Sequence, residues 1–154
     1  MFLFHKKSMI YSPCDGTFKP LSEVKDEVFS KELMGKGFAV VPTNGDIHSP
    51  VDGKVTMVFP TKHAIGITDK NNIEYILHIG IDTVQLKGTG FQTSVHEGDS
   101  VKAGDLLVNC DLAMLKQAGY QTDVLVIVTN HKDVRIKQAC NLKVKDEIAY
   151  CENI

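Results

Sequence analysis

The chain has 154 residues, enough for one domain with a sizeable core, and its 43% hydrophobic and 23% charged content excludes a disordered or collagen-like polymer. Its net charge of −2, with Lys and Arg scattered among Asp and Glu, excludes the basic face of a nucleic-acid or anionic-lipid binder and favours protein or small-molecule partners. Cys14, Cys110, Cys140 and Cys151 form no Cys-x-x-Cys pair, which argues against a disulfide framework or zinc finger and for reduced thiols in a cytoplasmic protein.

In Met1-Phe-Leu-Phe-His-Lys-Lys7 charge follows only a short apolar start, too little for a signal-peptide core or a membrane span. Residues 1–7 are therefore expected to be a short extension of a soluble domain over residues 8–154. Ser12-Pro-Cys-Asp-Gly16 predicts a tight Asp-Gly turn, and a turn of helix is expected over Leu21–Val24. Strands are predicted at Gly37–Val41, Lys54–Phe59, Ala64–Thr68, Ile73–Ile79, Leu106–Asn109 and Val124–Val128, between Gly, Pro, Asn and Asp clusters. One helix is predicted near 111–118, with Asp111 as N-cap, Leu112, Leu115 and Ala118 on one face, and Gly119 closing it. The pentapeptide at Ser12 returns as Ser49-Pro-Val-Asp-Gly53, and Val101-Lys-Ala-Gly-Asp105 is echoed by Leu142-Lys-Val-Lys-Asp146. These echoes predict an all-β antiparallel sandwich built from two related halves.

The informative histidines are His63 and His78. Asp69-Lys-Asn-Asn72 is a turn signal, and a four-residue hairpin there sets Thr68 opposite Ile73, His63 opposite His78 and Thr61 opposite Gly80. Alternation then groups Ile65, Ile67 and Ile76 with the histidines and turns Ile73, Tyr75 and Leu77 to the other face. Two opposed imidazoles repel a second proton, so one keeps a lone pair near neutral pH. That nitrogen suits phosphoryl acceptance; the other imidazole and Thr61 are placed to donate to the phosphoryl oxygens, with Gly80 leaving room. The geometry alone leaves open an incidental pair. His5, His48, His96 and His131 fall in expected turns or loops and receive no role.

At these residues the chain resembles the glucose-class enzyme IIA family of the bacterial phosphoenolpyruvate:sugar phosphotransferase system. The resemblance rests on Phe59-Pro-Thr-Lys-His-Ala-Ile-Gly66 and Leu77-His-Ile-Gly-Ile-Asp-Thr-Val84, supported by Ser49-Pro-Val-Asp-Gly53, Lys87-Gly-Thr-Gly-Phe91 and Glu97-Gly-Asp-Ser-Val-Lys-Ala-Gly-Asp105. It implies an antiparallel β-sandwich (a duplicated hybrid motif) in which His78 accepts a phosphoryl group from the phosphocarrier HPr and gives it to a cysteine on the IIB domain of a sugar permease. By the same resemblance His63 supports the phosphoryl group and Thr61 orients His63. Phe29, Phe59 and Ile76 would form an apolar face toward partners, with Asp26, Asp82 and Gly80 beside it. Ile76 departs from relatives that carry an aromatic ring there. A monomer without cofactor or resident metal is implied.

Two other readings stay open on sequence. One is a zinc hydrolase with His63, His78 and Asp82 as ligands, although no His-x-His or His-Glu-x-x-His element is present. The other is a biotinyl- or lipoyl-type carrier, for which Ala113-Met-Leu-Lys116 would have to lie at a hairpin tip rather than in the predicted helix.

Overall fold

A computed structural model describes residues 6–154 of the chain. Its strands, in chain order, are β1 (Ser8–Tyr11), β2 (Gly16–Pro20), β3 (Lys36–Pro42), β4 (Asp46–His48), β5 (Gly53–Val58), β6 (Ala64–Thr68) and β7 (Glu74–Ile79). They continue as β8 (Phe91–Thr93), β9 (Ser100–Val101), β10 (Leu106–Cys110), β11 (Val124–Val128), β12 (Val134–Ile136), β13 (Asn141–Leu142) and β14 (Glu147–Cys151). Helices α1 (Glu27–Ser30) and α2 (Leu112–Gln117) are both short. Residues 1–5, including His5, lie outside the described residues, so the expected extension is seen only at Lys6 and Lys7.

Among the described residues an eight-stranded sheet runs in the order β13-β2-β3-β11-β7-β6-β5-β9, and two three-stranded sheets run β1-β14-β12 and β4-β10-β8. The pairings throughout are antiparallel, which bears out the all-β expectation. The strand β11, Val-Leu-Val-Ile-Val, is buried along its whole length because both faces of the large sheet are covered there. Val124, Val126 and Val128 join Phe38, Tyr75 and Leu77 in the main core. Leu125 and Ile127 face the other way, into a smaller cluster roofed by Leu21, Val24 and Phe29.

The two Ser-Pro-x-Asp-Gly segments make matching bonds. Ser12 Oγ donates to the Cys14 carbonyl and Ser49 Oγ to the Val51 carbonyl, each at 2.7 Å. Asp15 accepts from the Val144 amide and Asp52 from the Ala103 amide, each at 2.8 Å, so each segment is tied to one member of the second echo. The segments are also laced to each other, Tyr11 N–H donating to the Pro50 carbonyl and His48 N–H to the Pro13 carbonyl.

The sequence expectations need four corrections. The β6–β7 hairpin pairs Thr68 with Glu74 and Ala64 with His78, one residue off the expected register. The cause is Asp69, whose Oδ1 accepts from the Asn71 and Ile73 amides while Asn72 takes a left-handed φ of 61°, adding a residue to the loop. As a result Ile65 and Ile67 share the core face with Leu77 and Tyr75, not the face of His78. Thr61 precedes β6 and has no strand partner in Gly80. A second helix, α1, escapes the sequence pattern because a single turn shows no periodicity, and His48, expected in a loop, lies in β4 with its Nδ1 2.9 Å from the Gly104 carbonyl.

Asp69 also accepts the hydroxyl of buried Tyr75 at 2.8 Å. Asp69→Ala strips two buried donors and one half-buried donor of their acceptor and is expected to cost about 3 kcal/mol in urea unfolding, with Asp69→Asn losing less.

Candidate functional site

His78 is the penultimate residue of β7, flanked across the sheet by Leu125 of β11 and Ala64 of β6. Alanine at the latter position leaves room beside the imidazole. His63 arrives by a different route from the one expected of a ladder pair. Phe59 and Ala64 close a loop through Phe59 N–H donating to the Ala64 carbonyl, and Lys62 turns the chain with φ 59°. The His63 carbonyl then accepts the Ile79 amide at 2.8 Å, docking the loop on the end of β7. The two imidazoles meet edge to face with ring centroids 4.9 Å apart.

The pair lies within a row of four rings. Phe29 covers His78 at 5.0 Å and Phe59 meets the edge of His63 at 5.5 Å. His63 is only 4% exposed and Phe29 7%, whereas His78 and Phe59 are half-buried. Thr61 Oγ1 lies 2.6 Å from His63 Nδ1. His78 Nδ1 lies 2.8 Å from the Gly80 carbonyl, an acceptor, so Nδ1 carries the proton and Nε2 of the neutral ring has a bare lone pair.

Electrostatics keep that ring neutral. Burial, followed by the neighbouring His63, pushes the His78 pKa down to about 4, against the opposing pull of the Gly80 carbonyl and the Asp26 carboxylate. Burial lowers His63 as well.

Each of the other residues named from sequence has a definite place. Asp26 is the N-cap of α1, accepting from the Val28 and Phe29 amides at 2.9 and 3.4 Å, so it holds Phe29 against His78 besides offering charge. Ile76 is half-buried beside Leu125 and Ile127, and Asp82 is exposed in a left-handed conformation, φ 61°. Gly80 departs from its expected part. It is buried at φ +74°, and a Cβ there would lie 2.4 Å from Thr83 Cγ2 and 3.0 Å from the Gln121 carbonyl oxygen, so its missing side chain makes room for Thr83 rather than for a phosphoryl group. Val28, 43% exposed, and Val84, 50%, are apolar groups on the flanking elements that the sequence pattern did not single out.

The two competing arrangements find little support in the geometry. Among the described residues no three His, Cys, Asp or Glu side chains are gathered closely enough to hold a metal, so Asp82 does not complete a ligand set with the histidines. Lys116 lies inside α2, not at a hairpin tip. No helix among the described residues is long and apolar enough to cross a membrane.

Comparison with known proteins agrees with this picture. The family model described as phosphoenolpyruvate-dependent sugar phosphotransferase system, EIIA 1, matches residues 8–134. The chain is 53% identical over 124 residues, 80% of its length, to the PTS system beta-glucoside-specific EIIBCA component of Bacillus subtilis. It is 46% identical over 146 residues, 93% of its length, to the PTS system glucose-specific EIICBA component of Streptococcus pneumoniae serotype 4. In both cases the chain spans only 20% of the longer relative. The PTS system glucose-specific EIIA component of Mycoplasma capricolum is 42% identical over 151 residues, covering 97% of this chain and 98% of that one. The solved glucose permease IIA from Mycoplasma capricolum superposes with a TM-score of 0.88 at 41% identity, covering 97% and 99% of the two chains.

This geometry sets the titration of His78 and the role of Asp26 in ways that measurement can check. The His78 ring should titrate by NMR near pH 4, and His63→Gln should raise that midpoint yet leave it below 6.5, since burial, the larger cause, remains. Because the folded form then binds fewer protons than the unfolded one, His78's contribution to stability is complete above about pH 6.5 and declines as pH falls toward 4. Asp26→Ser should keep the α1 cap and the Phe29–His78 contact in NOE spectra, whereas Asp26→Ala loses both at a cost of about 1 kcal/mol. Both variants should lower the His78 midpoint further, because each removes the carboxylate.

Proposed function

The chain belongs to the EIIA 1 family of the phosphoenolpyruvate-dependent sugar phosphotransferase system, and on that premise we propose that it is a phosphoryl carrier whose acceptor atom is Nε2 of His78. Residues 8–154 act as the IIA domain in the cytoplasm. The observation that carries this reading is the bare Nε2 of His78, fixed by the Nδ1–Gly80 bond beside a second imidazole 4.9 Å away.

In the first transfer, the Nε2 lone pair attacks phosphorus on the phosphohistidine of HPr. A P–N bond forms on His78 as the donor's P–N bond breaks, its electron pair returning to the donor nitrogen. Nδ1 keeps its proton on the Gly80 carbonyl throughout. His63 donates from Nε2–H to a phosphoryl oxygen, a tautomer favoured when Thr61 O–H donates to its Nδ1. In the second transfer, a cysteine thiolate of a IIB domain attacks phosphorus and the pair returns to Nε2 of His78. The printed names of the EIIBCA and EIICBA relatives place A with B and C components in one chain, which supports a IIB acceptor. Phosphoryl transfer depends mainly on positioning and charge stabilisation, so a shallow cleft between two phenyl rings suffices when donor and acceptor are proteins. Phe59, Ile76 and Asp82, with Asp26 and Phe29 behind them, line the approach to His78.

Incubation with labelled phospho-HPr tests the assignment. His78→Ala should take up no acid-labile label, and His63→Gln should be labelled about 100-fold more slowly than the native protein. Undiminished labelling of the His78→Ala protein would sink the proposal.

A further inference from the structure

A buried threonine outside the histidine pair touches the turn whose carbonyl meets the His78 ring. Thr83 is completely buried, and its hydroxyl donates to the Ile79 carbonyl at 2.5 Å. Its methyl carbon occupies the space beside Gly80, 2.4 Å from where a Cβ would sit, and Gly80 is thereby seated at φ +74°. From that position the Gly80 carbonyl turns back to His78 Nδ1, two residues earlier on the same chain. Two further bonds hold the rest of the turn to the segment before β11, Gly80 N–H to the Asp123 carbonyl at 2.8 Å and Ile81 N–H to the Gln121 carbonyl at 3.1 Å. None of these two bonds fixes the direction of the Gly80 carbonyl by itself. Thr83 touches both residues on either side of the peptide preceding that carbonyl, its hydroxyl on Ile79 and its methyl beside Gly80, where the Gln121 carbonyl oxygen is the other neighbour.

We infer that Thr83 is a positioning residue for phosphoryl acceptance. Its hydroxyl pins Ile79, its methyl seats Gly80, and together they keep the Gly80 carbonyl on His78 Nδ1, so that Nε2 is the nitrogen left free. Without the clamp the turn relaxes, the proton moves between the two ring nitrogens, and a fraction of His78 presents Nε2–H, which cannot attack phosphorus. The hydroxyl is the essential part of the clamp and the methyl supports it by packing, so serine is expected to serve in place of threonine where valine does not. The inference rests on His78 as the acceptor.

The test compares Thr83→Val, which keeps the shape and loses the hydroxyl, with Thr83→Ser, which keeps the hydroxyl. Long-range 1H–15N spectra of the His78 ring report the tautomer directly. The native protein and Thr83→Ser should show Nδ1–H, while Thr83→Val should show a mixed population. With phospho-HPr as donor, Thr83→Val should lose about tenfold in kcat at unchanged KM, the size of one lost hydrogen bond, and Thr83→Ser should recover most of the rate. In the native protein the Thr83 hydroxyl proton, sealed from solvent, should give a slowly exchanging resonance; its absence would overturn the clamp even if the valine protein does not fold. A native-like tautomer and rate in Thr83→Val would overturn it as well. Should label persist in His78→Ala, the acceptor assignment fails instead, and the tautomer measurements still judge Thr83 separately.

Discussion

Two imidazoles with centroids 4.9 Å apart in a partly buried cleft do not both take up a proton at neutral pH. That constraint governs the rest of the site. Burial and mutual repulsion keep His78 neutral, and the Gly80 carbonyl decides which nitrogen of the neutral ring holds its single proton. Phe29 and Phe59 flank the pair and keep water from the outer ring faces. Asp26 pulls the other way, stabilising the protonated ring, yet its carboxylate is partly committed to capping α1. The balance favours the neutral nucleophile because burial is the largest of the causes acting on His78.

How the pair comes together was only partly legible in the sequence. Alternation and the turn signal at Asp69 identified both strands: Ala64–Thr68 is observed residue for residue, and β7 ends at Ile79 as expected but begins at Glu74 rather than Ile73. The register failed by one because the Asx bonds of Asp69 and the left-handed Asn72 are side-chain and backbone choices that a turn signal does not specify. The histidines nevertheless meet, for His63 leaves the ladder at Lys62 and returns through a backbone bond to Ile79. A correct neighbour was thus expected for an incorrect reason. The family motifs carried the site further than periodicity, since they span both the loop before β6 and the end of β7. They named Phe29 and Asp26 for a partner face but could not display the roof over His78, because α1 is one turn long and the capping role of Asp26 does not show in a sequence without helical periodicity. Thr83 was hidden for a similar cause: a threonine after an Asp looks like turn chemistry until its burial is known.

The frame beneath the site is stiff where the sequence repeats itself. Ser12 and Ser49 bond the second carbonyl after themselves, and Asp15 and Asp52 reach across to Val144 and Ala103. The order of the eight-stranded sheet reads correspondingly from its two ends, β13-β2-β3-β11 against β9-β5-β6-β7. His78 lies at the middle of this arrangement, on the strand that joins β11 to β6. A central strand with neighbours on both sides is the part of a sheet least free to move, and the His78 ring inherits that rigidity.

Rigidity below and exposure above suit the carrier role proposed for His78, in which a phosphoryl group would be handed over twice. A deep pocket would retain the phosphoryl group and exclude a protein donor, whereas a fully exposed imidazole would be charged for part of the time and would lose the group to water. The cleft lies between these limits: His63 is 4% exposed while His78 remains half-open. Under the proposed role the last component of water exclusion would come from the docking partner itself, which would tie transfer to encounter. On this view substrate choice is left to the partner's surface, and the chain needs to present only one nitrogen, in one tautomer, at one place.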